Sequence, residues 1–326
     1  MNASFGRRSF LISVTASLLT GLISLADLGT AQATASMPSL EISPQAQWTG
    51  SRLVQTQRSL FRCQIEDLVV TGIDPIQLVE RDIEISIYLA KRPRAPHSAV
   101  LVLPPTGGVN ILDRGYANEL CSRGLNAVII RQWAHDDEIS LDLSMHDNGA
   151  LRSLIAVRHV MQYLNTRDIN RFGLLGTSIG AMTSALVLGF HPEISASVLI
   201  VGSARFADVI ASSDETAAAE VRRLRMQKLG LSSLERYRDV IRGAVQLEPA
   251  RFLRGLASER PFAPGAHLVV TADSDSTVPT EYQHELAQLL SADRLDLEGD
   301  HGAVIRDAFI WSRRKLVEHL MRQLTN

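Results

Sequence analysis

From Ala99 to Leu297 the chain alternates short aliphatic runs with longer stretches whose apolar positions recur every three or four residues. The runs are Ala99–Leu103, Ala127–Arg131, Phe172–Leu175, Ser197–Val201, His267–Thr271 and Arg294–Leu297, and two more, Cys63–Val70 and Ile83–Leu89, precede them. Several are nearly unbroken aliphatics, as strands covered on both faces must be. Ile83, Ile85 and Ile87 instead alternate with Glu84 and Ser86, the mark of a strand with two unlike faces. Helices are predicted at Arg114–Arg123, Asn148–Asn165, Ser178–Phe190, Glu281–Leu290 and Ala303–Leu324. Leu151, Leu154, Val157, Met161 and Leu164 fall on one face of the second. Strands alternating with helices demand a mostly parallel sheet flanked by helices, an α/β architecture with eight strands.

A chain of 326 residues, 45% hydrophobic and 21% charged, has ample apolar surface for such a core. Its net charge of −2 leaves no basic surplus for phosphate contacts, which excludes nucleic acid as the main partner.

The first segment is an address rather than a part of the fold. Arg7-Arg8-Ser9-Phe10-Leu11 opens an apolar run, and Ala31-Gln32-Ala33 and Ala33-Thr34-Ala35 suit a signal peptidase. The run is too short and too diluted for a stable membrane anchor. Residues 1–35 are therefore expected to be a removable export signal, with the mature protein in the periplasm or outside a bacterial cell. Arg7-Arg8-x-Phe10-Leu11 resembles the twin-arginine signal, which carries folded proteins. Removal takes away Arg7, Arg8 and Asp27 and leaves a net charge of −3. Residues 36–60 read as a polar leader and 61–326 as the domain. An oxidising compartment would permit a bridge between Cys63 and Cys121. Placed on an early strand and a later helix, they are expected to be two separate buried thiols.

One connection is too long. Gly202–Gly265 holds at least two helical stretches, Ala217–Leu229 and Leu234–Leu247, where a single helix would suffice. A long insertion with helices of its own usually covers something, and residues 204–257 read as a helical lid after the sixth strand.

Chemistry concentrates in three places. Gly176-Thr177-Ser178-Ile179-Gly180 lies directly between an aliphatic strand and a helix. A serine there sits on a sharp turn that pushes its hydroxyl clear of the sheet, and the turn brings the residues two before and two after into close approach. A serine hydroxyl needs an imidazole to take its proton and a carboxylate to orient that imidazole. Among nine histidines, His301 stands apart, in Gly299-Asp300-His301-Gly302 between the last strand and the last helix. Asp273 and Asp275 follow the seventh strand, at the edge where parallel sheets build their sites. Trp133-Ala134-His135-Asp136-Asp137-Glu138 and His146-Asp147 could be imagined as metal ligands, but they match no zinc spacing and read as polar turns.

The order serine, aspartate, histidine, the strand–turn–helix around Ser178, the D-x-x-V-P form at Asp275–Pro279 and the G-x-H-G at Gly299–Gly302 resemble the α/β-hydrolase superfamily over about residues 60–326. The resemblance implies an eight-stranded mostly parallel sheet, with Ser178 as nucleophile, His301 as general base and Asp275 as the orienting acid. Asp273 is the alternative acid. It also implies an oxyanion hole from backbone N–H groups, one of them that of Ile179. The sequence departs from the family after the third strand, where Leu103-Pro104-Pro105-Thr106-Gly107-Gly108 stands in place of a His-Gly or polyglycine run. Pro104 and Pro105 have no N–H, so Thr106 aligns with the donor and Gly107 is the fallback. The expected function is an exported serine hydrolase that cleaves a small or polymeric acyl substrate, a carboxylic ester first of all, with no metal or organic cofactor. A peptidase, a depolymerase, an acyltransferase or a non-catalytic binding protein on the same fold are the alternatives. The sequence does not fix the oligomeric state.

Overall fold

The aliphatic runs become the middle of one sheet because only there can both faces of a strand be covered. In this computed structural model residues 48–58, 62–74, 76–131 and 142–325 are described; the expected export signal and the Trp133–Glu138 run lie outside them. The strands are β1 (Trp48–Arg58), β2 (Cys63–Ile73), β3 (Glu80–Ala90), β4 (Ala95–Leu103), β5 (Leu125–Ile130), β6 (Arg171–Thr177), β7 (Ile194–Ile200), β8 (His267–Ala272) and β9 (Asp293–Leu297). Their order is β1-β2-β3-β5-β4-β6-β7-β8-β9. The first three pair antiparallel down to β5, and everything from β5 to β9 is parallel.

The sheet thus has nine strands, not eight. The additional one, β1, arises from the segment read as a leader. It is an edge strand paired only with β2, and its apolar residues Leu53 and Val54 are exposed, so its sequence carries no burial pattern.

Alternation along the central strands divides the core in two. Ala99, Leu101 and Leu103 of β4 face α2 (Met145–Asn165), α3 (Ile179–Phe190) and α8 (Thr280–Leu289), while Val100 and Val102 face α1 (Ile111–Ser122) and α10 (Arg313–Leu324). On α2, Leu154, Val157, Met161 and Leu164 are buried as the spacing requires, and Leu151 is half-buried beside Leu247 and Phe252. The closing helix is not continuous. A short α9 (His301–Asp307) passes through a π-helical turn, Ala308–Ser312, into α10. That last helix lies across β4, β6 and β7, where Ser98 Oγ donates to the Leu324 carbonyl at 3.2 Å and the Leu324 side chain packs against Gly173.

Cys63 and Cys121 are joined by a disulfide, with Cα atoms 5.9 Å apart, and are not separate thiols. The sheet order explains it. β3 pairs with both β2 and β5, so the start of β2 arrives on the face where α1 packs, next to that helix's last turn. Closing a 58-residue separation removes unfolded-chain entropy worth about 4 kcal/mol.

Between β7 and β8 stand four helices, α4 (Phe206–Ser212), α5 (Thr216–Lys228), α6 (Leu234–Ala244) and α7 (Pro249–Glu259). Phe206, Val209, Tyr237, Ile241 and Val245 make a core of α4 and α6 that Met226 of α5, Met182 of α3 and Val278 join, while Ala250, Phe252 and Leu253 of α7 pack into the clusters of the main body. Asp147, at the start of α2, accepts the backbone N–H groups of Gln246 and Leu247 at 2.8 and 2.9 Å and so ties the insertion to the main body. Among the described residues no helix is long and apolar enough to cross a membrane.

Candidate active site

β6 ends at Thr177 and α3 begins at Ile179, so the whole change of direction falls on Ser178. Its backbone adopts φ 54° and ψ −121°, a region that costs a residue with a side chain about 1–3 kcal/mol. The surroundings hold it there. Ser178 N–H donates to the Ile200 carbonyl at 2.8 Å, and its own carbonyl accepts from Ala181 and Met182 at 2.9 and 3.0 Å. A Cβ on Gly176 would lie 2.5 Å from the Gly180 carbonyl, and one on Gly180 would strike the carbonyls of Leu103 and Pro104. Only glycines permit the turn.

The carboxyl ends of β8 and β9 bring the other residues to this point. His301, the first residue of α9, has Nε2 2.9 Å from Ser178 Oγ and Nδ1 2.7 Å from Asp275 Oδ2. A carboxylate accepts only, so Nδ1 carries the proton and Nε2 is bare to receive one from Ser178. The Asp275 side chain has no solvent exposure, and that of His301 is 17% exposed. Asp275 Oδ1 accepts the N–H groups of Thr277 and Val278 at 2.9 and 2.8 Å. Asp273 is turned elsewhere. Its carboxylate accepts from Gly299 N–H at 2.8 Å and clips the loop after β8 to the loop before α9.

The loop after β4 leaves the sheet beside the start of α3, as the close approach of Gly180 to Leu103 and Pro104 requires. Thr106 and Gly107 are exposed on it, and neither backbone N–H is paired within the described residues. The Ile179 N–H opens α3, where no carbonyl of the helix precedes it.

The second cluster singled out in the sequence goes elsewhere. His146 Nε2 is 2.6 Å from Nη1 of the buried Arg225 on α5, and Asp147 binds the insertion as described.

The sequence matches no protein-family model and no curated protein. Solved structures do match. An acetyl xylan esterase from Paenibacillus sp. R4 superposes with a TM-score of 0.60 at 13% identity, over 84% of this chain and 87% of that one. Acetyl Xylan Esterase 1 from Thermoanaerobacterium sp. JW/SL YS485 gives 0.59 at 12% identity over the same shares, 84% and 87%. A cold-adapted esterase from an Arctic intertidal metagenomic library gives 0.54 at 15% identity, over 84% of this chain and 99% of that one. The chain has the α/β-hydrolase fold.

Two residues beside Asp275 have no signal in the sequence. Asp214, in the turn between α4 and α5, accepts from the hydroxyls of Ser276 and Thr277, the two residues directly after Asp275, at 2.5 and 2.8 Å. Those two hydroxyls hold its carboxyl below the usual range. Gln283, fully buried on α8, reaches the Asp275 carboxylate directly, with Nε2 2.9 Å from Oδ2. A glutamine inside an ordinary amphipathic helix looks like a surface residue until the helix is placed.

Proposed function

We propose that the protein is an exported serine hydrolase that cleaves carboxylic esters through an acyl-enzyme on Ser178. The observation that carries this reading is the continuous chain of hydrogen bonds from Ser178 Oγ through His301 to Asp275, at 2.9 and 2.7 Å. Ser178 Oγ attacks the ester carbonyl carbon while its proton passes to His301 Nε2. Asp275 holds the imidazole in that tautomer and stabilises the imidazolium that forms. The oxyanion is received by the Ile179 N–H and by that of Thr106, with Gly107 the alternative on the same loop. His301 returns the proton to the leaving alcohol, and a water activated by the same imidazole releases the acid. The esterases among the structural neighbours support ester over amide chemistry.

The helical insertion is the lid in this reading. Its core reaches Ile179 and Met182 at the start of α3, and Asp214 grips the loop of Asp275. The disulfide supports export, because such bonds persist in oxidising compartments.

Fluorophosphonate labelling followed by peptide mass mapping tests the reading. Label on Ser178 is expected, and Ser178→Ala should abolish it and cut p-nitrophenyl acetate turnover by on the order of 10⁴-fold or more while the protein stays folded. Near-wild-type turnover in that variant would sink the assignment. A wild-type protein that neither labels nor turns over would point to a non-catalytic binding protein.

A further inference from the structure

We infer that Gln283 is a positioning residue for the reaction, one that sets the basicity of His301 by neutralising part of the charge on Asp275. The inference rests on the serine-hydrolase reading of the same site.

Gln283 is anchored at both ends of its amide. Oε1 accepts the Ala272 N–H, the last of β8, at 2.9 Å, so the side chain has a fixed orientation and cannot flip its nitrogen away. Nε2 then donates in two directions, to the Val278 carbonyl at 2.7 Å and to Asp275 Oδ2 at 2.9 Å. Oδ2 is the oxygen that faces His301 Nδ1 at 2.7 Å. The amide and the imidazole therefore compete for one oxygen.

The competition has a direction. Each donor on a carboxylate disperses its charge, and Asp275 receives three donors besides His301, from Thr277, Val278 and Gln283. Only the last meets the oxygen on which the imidazole rests; Asp214, the other carboxylate near the imidazole, stays in place when Gln283 is replaced. Taking the Gln283 donor away leaves more negative charge facing Nδ1, stabilises the imidazolium and raises the pKa of His301. It also removes one of the four contacts that fix the carboxylate against rotation about its Cβ–Cγ bond. A general base works in its neutral form, so a raised imidazole pKa moves the rising limb of the rate profile to higher pH.

The experiment measures two quantities against pH for wild type, Gln283→Leu and Gln283→Glu: ester kcat/KM and the rate of Ser178 labelling by a fluorophosphonate. Gln283→Leu removes the donor at similar size. Gln283→Glu keeps an acceptor for the Ala272 N–H and, as a buried acid against a carboxylate, holds its proton and donates it to Asp275 Oδ2, so it restores the donor. In Gln283→Leu the rising limb should move up by roughly one pH unit, and kcat should fall roughly 10- to 100-fold with KM little changed, because the imidazole is less well aimed; in Gln283→Glu the limb should stay near its wild-type position. A residue that only filled space would lower stability and leave the limb in place. A folded Gln283→Leu with an unmoved limb overturns the proposal, as does a Gln283→Glu that shifts as far as Gln283→Leu, and so does collapse of both variants, which would make Gln283 a residue of the fold alone. A wild type that shows no labelling at Ser178 fails the serine-hydrolase reading instead, and the two failures are distinct.

Discussion

Asp275 has no spare lone pair: its two oxygens accept from Thr277, Val278, Gln283 and His301. Asp273, two residues earlier, shares none of these partners and spends its carboxylate on Gly299 and Ser274. Asp275→Asn should cut ester turnover by up to about 10⁴-fold, since an amide there misorients the imidazole and favours the wrong tautomer. Asp273→Ala should cost about 1 kcal/mol of stability, the worth of one hydrogen bond, and keep most of the rate. Turnover and melting temperature measured side by side check both, and a dead Asp273→Ala beside an active Asp275→Asn would reverse the roles. Strand alternation puts the two aspartates on one side, so periodicity alone does not separate them; the spacing to Val278-Pro279 does. The physical separator is the turn that Asp275 makes with Thr277 and Val278 N–H, which aims its other oxygen at His301. Ser178 was legible because a strand, a sharp turn and a helix each leave a local pattern. Gln283 was not, since nothing within its own helix distinguishes it from a solvated residue.

The insertion shows the same contrast among elements. Its length was legible, as were α6, whose Tyr237 and Ile241 keep a helical spacing, and α5, a run rich in good helix formers. The seven-residue α4 is too short to show a period, while α7, which starts at Pro249, does carry Phe252, Leu253 and Leu256 at helical spacing. These two helices meet at Glu248, whose carboxylate accepts the Ala207 N–H at 3.1 Å. Burial pushes the Glu248 carboxyl up to about 7 from its ordinary 4.5, and the neighbouring charge of Asp208 adds to this, while the Ala207 N–H and Arg205 oppose it. The folded chain therefore keeps a proton that the unfolded chain has released, and stability falls as pH rises from about 4.5 to about 7, then levels. Between pH 5 and pH 8 the loss attributable to this group is up to about 3 kcal/mol. Urea unfolding at the two pH values should show a smaller drop in Glu248→Gln than in wild type. An equal drop in both would remove Glu248 as its source.

For the whole molecule, the parallel centre of the sheet was legible from aliphatic runs, while its polar edge strand and its disulfide depended on strand order, which no local pattern encodes. Export is the prediction at this scale. Protein isolated from its native host should begin near Thr34 or Ser36 and carry the Cys63–Cys121 bond, both readable from an intact mass before and after reduction. A mass that retains residues 1–33 would count against a removed signal. The position of α10 bears on when the molecule can come into being. β4, β6 and β7 are built from residues 95–200, yet the helix that covers one of their faces spans 313–324. α1 covers part of that face beside β4 early, but over β6 and β7 it stays bare on the ribosome until more than a hundred further residues have been translated. Closing of that face waits for the last helix, so export in the folded state, as the twin-arginine-like signal would require, would have to follow the end of synthesis, with an open hydrophobic face over β6 and β7 to protect until then.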